Sequence, residues 1–176
     1  MKNWEPEVTA AQADINFDTT TYQIQLDTSM GTILIDLYPD LAPGHCKNII
    51  GLSKVGYYDG LIFHRVIAGF MIQGGCPLKN GTGNPGYTID AEFSSKDHIA
   101  GTLSMARTAD PNSAGSQFFL CLDRVPHLDN QYTVFGQADA AGTEVIKAIG
   151  GVRTNAQDRP LEEVSINKAT VIETAK

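Results

Sequence analysis

The chain has 176 residues, of which 42% are hydrophobic and 19% charged, the proportions of one ordinary globular domain with a sizeable core. Its formal net charge of −7 argues against sequence-independent binding to nucleic acid or to an anionic membrane surface. No stretch is long and apolar enough to predict a membrane span.

The cysteines and the N-terminus bear on the compartment. Cys46, Cys76 and Cys121 are odd in number and widely spaced, so they do not form a disulfide framework and suit a reducing compartment. Residues 1–7 lack the apolar core of a secretory signal. We therefore expect a cytoplasmic protein. No feature of the sequence indicates an obligate dimer, so we also expect a monomer.

The chain begins with a weakly patterned segment and a hairpin. We interpret residues 1–20 as an N-terminal extension and residues 21–176 as one domain. Apolar and polar residues alternate over 22–26 and again over 33–37, on either side of a turn at 27–31. This alternation predicts two antiparallel strands.

The pattern then predicts two helices and several short strands. Pro43 is tolerated in the first turn of a helix that Gly56 ends, and a second helix is expected over 143–149. The strand-like segments are 61–67, 70–74, 102–106, 117–122, 133–138, 164–166 and 169–171. Many short strands with only two helices predict a mainly β antiparallel sandwich or barrel.

The run FHRVIAGFMIQGG at 63–75 sets one arginine and one glutamine among apolar residues. In a regular strand side chains alternate between faces, so Arg65 would share an apolar face with Phe63 and Ile67. Arginine is almost never fully buried without a partner. Two interpretations fit: a structural ion pair inside a barrel, or a cleft in which a fixed donor faces an apolar pocket.

Three other kinds of site fit poorly. The segment 81–86 matches the dinucleotide-binding pattern GxGxxG, but the strand-like residues 87–93 follow it where that motif needs a helix. The histidines share no HExxH spacing and the cysteines no CxxC pair, so we expect no metal. There is no GxSxG elbow, and Ser116 has no base nearby in sequence.

One reaction needs only an arginine and an apolar pocket. Rotation about an X–Pro amide breaks no covalent bond and transfers no proton, and its barrier of ~18–20 kcal/mol comes from lost resonance. The prolyl nitrogen recovers a lone pair in the twisted transition state. A preorganised guanidinium can donate to that lone pair, whereas the planar amide offers it little.

The chain resembles the cyclophilin-type peptidyl-prolyl cis-trans isomerases over about residues 21–172. The run at 63–75 is close to the family signature, and GTLSMA at 101–106, GSQFF at 115–119 and VFG at 134–136 are further family blocks in order. The resemblance implies a closed eight-stranded antiparallel β-barrel capped by two α-helices. It implies an isomerase that needs no cofactor and assists folding by acting on proline-containing peptides and on unfolded or flexible protein segments.

The resemblance also implies roles for individual residues. Arg65 corresponds to the catalytic arginine. The proline pocket corresponds to Phe70, Met71, Phe119 and Leu128, with Gln73 and Gln117 as polar contacts. The substrate backbone is expected to lie extended against Ala106, Arg107 and Thr108. Strand alternation, and not the resemblance, places His64 on the face opposite Arg65 if the strand is regular, and we interpret it as structural.

The chain departs from well-known family members at three site positions. His127 stands where those members carry the tryptophan that helps to hold cyclosporin, so we expect cyclosporin to bind weakly. Tyr132 stands where many members have histidine, and it can still close the pocket. Arg107 replaces a common asparagine.

Two functions of different classes fit these residues. The first is an active prolyl isomerase, and the second is a proline-peptide binding module whose catalysis is incidental. Retention of Arg65 favours the first, because binding a planar prolyl amide does not require it. A holdase-like chaperone finds little support in one compact domain.

Overall fold

The computed structural model describes residues 1–176 as three α-helices, eight strands and one 3-10 turn at Pro126–Leu128. The helices are α1 (Glu5–Ala11), α2 (Pro43–Lys54) and α3 (Ala140–Gly150). The strands are β1 (Thr20–Thr28), β2 (Gly31–Leu37), β3 (Phe63–Ile67), β4 (Met71–Gly74), β5 (Thr102–Met105), β6 (Phe118–Cys121), β7 (Val134–Ala138) and β8 (Ile166–Ala175). None of the helices has the length and apolar character needed to cross a membrane.

All eight strands form one antiparallel sheet in the order β3-β4-β6-β5-β7-β2-β1-β8. Its two edges meet at a single bridge between Ile62 and Ser165, beside which the Phe63 amide donates to the Val164 carbonyl oxygen over 3.0 Å. The predicted mainly β, eight-stranded antiparallel fold is confirmed. Its closing seam is narrower than in the closed barrel we expected, because one isolated bridge takes the place of a strand ladder between β3 and β8.

Strands β1 and β2 show how the sequence pattern builds the interior. Ile24 and Leu26 lie opposite Ile35 and Ile33, and all four are at most 1% exposed. The residues between them are half-buried or exposed. A one-residue slip would turn every one of these apolar side chains to the other face, so burial of one face fixes the register. The predicted hairpin is confirmed.

The two predicted helices are present with slightly different bounds. α2 begins at Pro43 and is followed by Gly56, whose φ of +74° lies in the left-handed region that favours glycine. α3 begins three residues before the expected start at Thr143. The cause is Asp139, whose carboxylate accepts a hydrogen bond of 2.6 Å from the Gly142 amide and caps the helix.

A third helix, α1, lies in the N-terminal segment and was not predicted. Val8 is 2% exposed, and a Cβ built on Gly51 of α2 would lie 2.9 Å from Val8 Cγ1. The two helices therefore approach each other more closely than a side chain at Gly51 would allow. The Trp4 amide donates to the Pro85 carbonyl oxygen over 2.9 Å, and the Trp4 ring packs edge-on against Tyr57.

Strand β3 does not alternate as predicted. Its register against β4 shifts between Phe63 and Arg65, which marks a bulge at His64. Phe63 and Val66 are buried in the main core, whereas Arg65 is exposed and Ile67 packs with the residues around Met71. The prediction that Phe63 and Arg65 share a face is wrong, because the bulge adds one residue between them.

The glycine-rich segment 81–86 lies in irregular structure between β4 and β5, and no helix follows it. Residues 87–93 contribute only one bridge, at Ile89, so their strand-like pattern did not produce a strand. Glu92 explains part of this difference. Its carboxylate accepts hydrogen bonds from backbone amides in the first turn of α2, including that of His45 at 2.8 Å, and helix capping takes the place of a strand ladder.

Candidate active site

A small cavity with mostly hydrophobic lining residues opens where β3, β4 and β6 lie side by side. Its volume is about 140 Å³. Arg65 pairs with Gln73 across β3 and β4, and Gln73 pairs with Phe119 across β4 and β6, so the strand register brings these three residues to one place. The other lining residues are Phe70, Met71, Ala106, Arg107, Leu128 and Tyr132. All the lining residues are among the site residues expected from the sequence.

The walls of this cavity form an apolar cluster separate from the main core. Met71, Phe119 and Leu128 are at most 7% exposed, and Phe70 and Tyr132 pack against them. The Tyr132 ring meets Phe119 edge-on, with 5.8 Å between ring centroids. The protein thus keeps apolar surface at the mouth of a cleft, as ligand pockets commonly do.

Arg65 is held at the rim of the cavity by a chain of side-chain hydrogen bonds. Its Nη1 donates to Gln73 Oε1 over 3.3 Å, and Gln73 Nε2 donates to Gln117 Oε1 over 3.0 Å. Gln117 Nε2 donates in turn to the carbonyl oxygens of Gly81 and Gly83, both at 2.9 Å. Because those carbonyls can only accept, the orientation of each amide in the chain is fixed.

A second cavity of about 180 Å³ adjoins the first and is polar. Thr108 and Gln117 line this cavity and not the first one. Its glycine-rich wall is held by Cys76, whose Sγ accepts from the amides of Gly81 and Gly83 at 3.3 Å each. Burial by itself raises the pKa of the Cys76 thiol, but the surrounding N–H groups outweigh burial, so the pKa lies below its usual value.

Arg107 forms a fixed wall between the two cavities. Its guanidinium carbon lies 4.4 Å from the centroid of the Tyr132 ring, a cation–π contact. Nη2 and Nε donate to the carbonyl oxygen of Gln131 at 2.6 and 3.2 Å, and Nη1 donates to that of Thr108 at 2.9 Å. Most of its donors are therefore used on the backbone, in contrast to those of Arg65.

The cleft contains donors and apolar surface but no nucleophile with an adjacent base. Ser116, the serine considered above, is 1% exposed, and its hydroxyl donates to the Gly75 carbonyl oxygen over 2.8 Å. No group of three or more His, Cys, Asp or Glu side chains is arranged to hold a metal ion. The arrangement can bind an apolar ring and place a charged donor beside it.

Comparison with known proteins identifies the family. The family model described as cyclophilin type peptidyl-prolyl cis-trans isomerase/CLD matches residues 22–171. The chain belongs to this family. A peptidyl-prolyl cis-trans isomerase of Synechococcus elongatus is 49% identical over 131 residues, which are 74% of this chain and 88% of that protein. Peptidyl-prolyl cis-trans isomerase ppi1 of Schizosaccharomyces pombe is 47% identical over 154 residues, 85% of this chain and 98% of that protein.

Solved structures agree with this assignment. The cyclophilin type isomerase of Cryptosporidium parvum superposes with a TM-score of 0.82 at 31% identity and covers 86% of this chain and 98% of its own. The same protein, solved in the presence of the dipeptide Ala-Pro, gives a TM-score of 0.81 at 32% identity. The family resemblance and the class of enzyme predicted from the sequence are confirmed.

One predicted site residue of this cyclophilin lies outside both cavities. His127 is exposed on the 3-10 turn at 126–128, and its ring centroid is 5.7 Å from that of Phe70. It therefore extends the rim of the cleft beside Phe70.

Sequence reasoning missed the support beneath Phe119. The His98 ring stacks on the Phe119 ring, with 6.1 Å between centroids and 10° between planes. Its two ring nitrogens lie 3.0 Å from Asp129 Oδ1 and 2.8 Å from Ser104 Oγ. Burial lowers the pKa of His98 and outweighs the opposite effect of Asp129. No short motif joins these residues, so no sequence signal pointed to them.

His64 is buried beside Arg65, and its surroundings are unusual. It is 7% exposed, and its Nδ1 has no hydrogen-bond partner. Burial lowers its pKa to about 4, and the nearby charges of Arg159 and Arg65 act in the same direction. The folded protein therefore keeps His64 neutral throughout the physiological range.

We predict that acidification destabilises the protein through His64. The unfolded chain binds a proton near pH 6.5 and the folded chain only near pH 4, so unfolding is favoured as the pH falls between these values. The expected loss of unfolding free energy between about pH 7 and 5 is about 2 kcal/mol. Urea unfolding of His64→Gln should show a flatter pH dependence than wild type. The matched variant His127→Gln should keep the wild-type slope, and an unchanged slope in His64→Gln would contradict the prediction.

Proposed function

We propose that the cleft catalyses rotation about X–Pro peptide bonds, with Arg65 stabilising the twisted amide and the apolar cavity holding the proline ring. The supporting observation is a fixed guanidinium at the rim of a cavity walled by Met71 and Phe119. A guanidinium carries five N–H donors, and Arg65 uses one of them on Gln73. The remaining donors are free for a substrate.

The chemistry requires nothing that the cleft lacks. Rotation removes amide resonance and leaves a lone pair on the prolyl nitrogen, so a donor placed there binds the transition state more strongly than the planar ground state. The apolar walls exclude water, which strengthens the interaction of the charged donor with the developing lone pair. Lowering the barrier by ~7–8 kcal/mol would accelerate rotation roughly 10⁵-fold.

The substrate backbone is proposed to lie extended against Ala106, Arg107 and Thr108. Residues 106–108 follow β5, and Ala106 and Arg107 border both cavities. An extended peptide there would place its proline in the first cavity and its preceding residues near the second. Unfolded or flexible segments satisfy this requirement, so we propose that such segments are the natural substrates.

The alternative function is a proline-peptide binding module. It would use the same cavities but would gain nothing from the fixed position of Arg65. The chain of amides that orients Arg65 supports catalysis over simple binding, because preorganised donors act mainly on charge that develops in the transition state.

We further propose that the protein acts as a cytoplasmic monomer. The observation that supports a reducing compartment is that Cys46, Cys76 and Cys121 are all free and buried.

Replacement of Arg65 by alanine should abolish most catalysis. We expect Arg65→Ala to lower kcat/KM for a short X–Pro peptide at least about tenfold in a protease-coupled assay, because the transition-state donor is lost. Arg153→Ala, which removes an exposed arginine outside the cleft, is the matched control and should keep wild-type activity. A folded Arg65→Ala protein with full activity would rule out the proposed role.

Cyclosporin should inhibit this protein weakly. The imidazole of His127 offers less apolar area beside Phe70 than an indole would. We expect wild-type activity to survive nanomolar cyclosporin, and His127→Trp to lower the inhibitory concentration at least about tenfold, which corresponds to ~1.4 kcal/mol of binding free energy. The measurement is inhibition of peptide isomerisation, and nanomolar inhibition of the wild type would contradict the hypothesis.

A further inference from the structure

A third cavity shares Arg65 with the proline pocket. Its volume is about 490 Å³, and we call it the basic cavity. Arg65 and Gln73 line both this cavity and the proline pocket, so the two cavities adjoin at these residues. The full lining is His64, Arg65, Gln73, Asn80, Gly81, Asn155, Gln157 and Arg159. No apolar and no acidic side chain is among these residues, although the chain has a net charge of −7.

Two guanidinium groups supply the charge of the basic cavity. Arg65 uses one N–H on Gln73. Arg159 Nη1 donates to the carbonyl oxygen of Lys79, which ties the guanidinium to the neighbouring loop. The carboxylate nearest to Arg159 belongs to Glu163, which is 4.0 Å away and 64% exposed, so it neutralises Arg159 only weakly. Both arginines therefore keep charge and donors for a ligand.

Two of the four amide side chains in the basic cavity, those of Asn80 and Asn155, present donors and not acceptors. Asn80 Oδ1 accepts from the amide and hydroxyl of Thr82, at 3.0 and 2.7 Å. Asn155 Oδ1 accepts from the amides of Gln157 and Arg159, at 2.9 and 3.1 Å. With both oxygens occupied, each side chain has its NH₂ group left for a ligand.

His64 is a neutral part of the lining that contains the two arginines. Burial, with the charges of Arg159 and Arg65, lowers its pKa to about 4, and all three side chains line the same cavity. The positive charge of the cavity therefore comes from the arginines alone. A ligand that satisfies this surface must accept hydrogen bonds and carry negative charge.

We infer that the basic cavity binds an anionic side chain of the substrate, a carboxylate or a phosphorylated hydroxyl, within two residues of the isomerised proline. This inference rests on the proposed function of the neighbouring pocket, because Arg65 is shared between them. The proline would lie on one side of Arg65 and the anionic group on the other. An acidic neighbour would then bind Arg159 and the amide groups while Arg65 faces the prolyl nitrogen.

The first test compares peptides that differ at one residue. Alanine, glutamate, phosphoserine or lysine is placed in turn at each of four positions, the two before and the two after the proline. For each peptide, kcat/KM is measured by NMR from the rate of cis–trans exchange. We expect glutamate or phosphoserine to exceed alanine by about threefold to tenfold at one position at least, and lysine to fall below alanine there. Raising the ionic strength from about 0.01 to 1 M should remove the preference, because the screening length shrinks from about 30 to 3 Å.

The second test moves the charge. The measured quantity is kcat/KM for the preferred anionic peptide divided by kcat/KM for its alanine counterpart. Arg159→Gln should reduce this ratio to about one, because the cavity loses one of its two guanidinium groups and no longer holds the anion. Arg159→Lys should keep part of the ratio. Arg153→Gln makes the same charge change on the same connection but outside the cavity, and should keep all of it.

The outcomes separate the inference from the proposed function. A wild type that isomerises alanine peptides but shows no anionic preference at any position overturns the basic cavity alone. A preference that Arg159→Gln leaves intact overturns it too. A folded wild type inactive on every peptide overturns the proposed function. In that case the dissociation constants of the same peptides are measured by chemical-shift titration. The inference predicts that the anionic peptide binds more tightly than the alanine peptide, and equal binding would overturn it.

Discussion

In the proposed mechanism, the function of this cyclophilin depends on one directed chain of hydrogen bonds, from Arg65 through Gln73 and Gln117 to the glycine-rich loop. A free arginine side chain loses about 2 kcal/mol of rotamer entropy when it is fixed in one geometry. Here two amides supply the fixation, and their own orientation is imposed by the carbonyls of Gly81 and Gly83. The donor is therefore in place before a substrate arrives, which is the condition for electrostatic preorganisation.

The barrel provides the geometry that this chain of hydrogen bonds requires. The bulge at His64 lets Phe63 and Val66 remain in the main core while Arg65 turns to the cleft. Gly75 then takes the chain out of β4 with a φ of +86°, and a Cβ there would lie 2.5 Å from the Ser116 carbonyl oxygen. Only glycine fits this turn, and the loop that receives Gln117 follows directly from it.

Much of the fold was predictable because local patterns and global packing agree. The alternation through Ile24 and Ile35 predicted the hairpin correctly, since one buried face leaves a single acceptable register. The motifs around Arg65 and Phe119 predicted which residues meet at the cleft. The bulge at His64 was not predictable from alternation, because it depends on pairing with a strand elsewhere in the chain.

The interactions that were missed are long-range or depend on burial. The stacking of His98 under Phe119 joins residues without a shared motif, and docking of α1 on α2 depends on the close approach of Val8 to Gly51. Arg159 showed no sequence signal at all. Its place beside Arg65 follows from the irregular connection between α3 and β8, which comes back to the cleft.

The central claim is that Arg65 acts on the twisted amide and not on the planar peptide. NMR line shapes of one X–Pro peptide give both its dissociation constant and its exchange rate at saturation, in wild type and in Arg65→Ala. We predict that Arg65→Ala changes the dissociation constant by less than about threefold from wild type and lowers the exchange rate at saturation more than about tenfold. A loss confined to affinity, with the saturated rate intact, would contradict it and identify the cleft as a binding module.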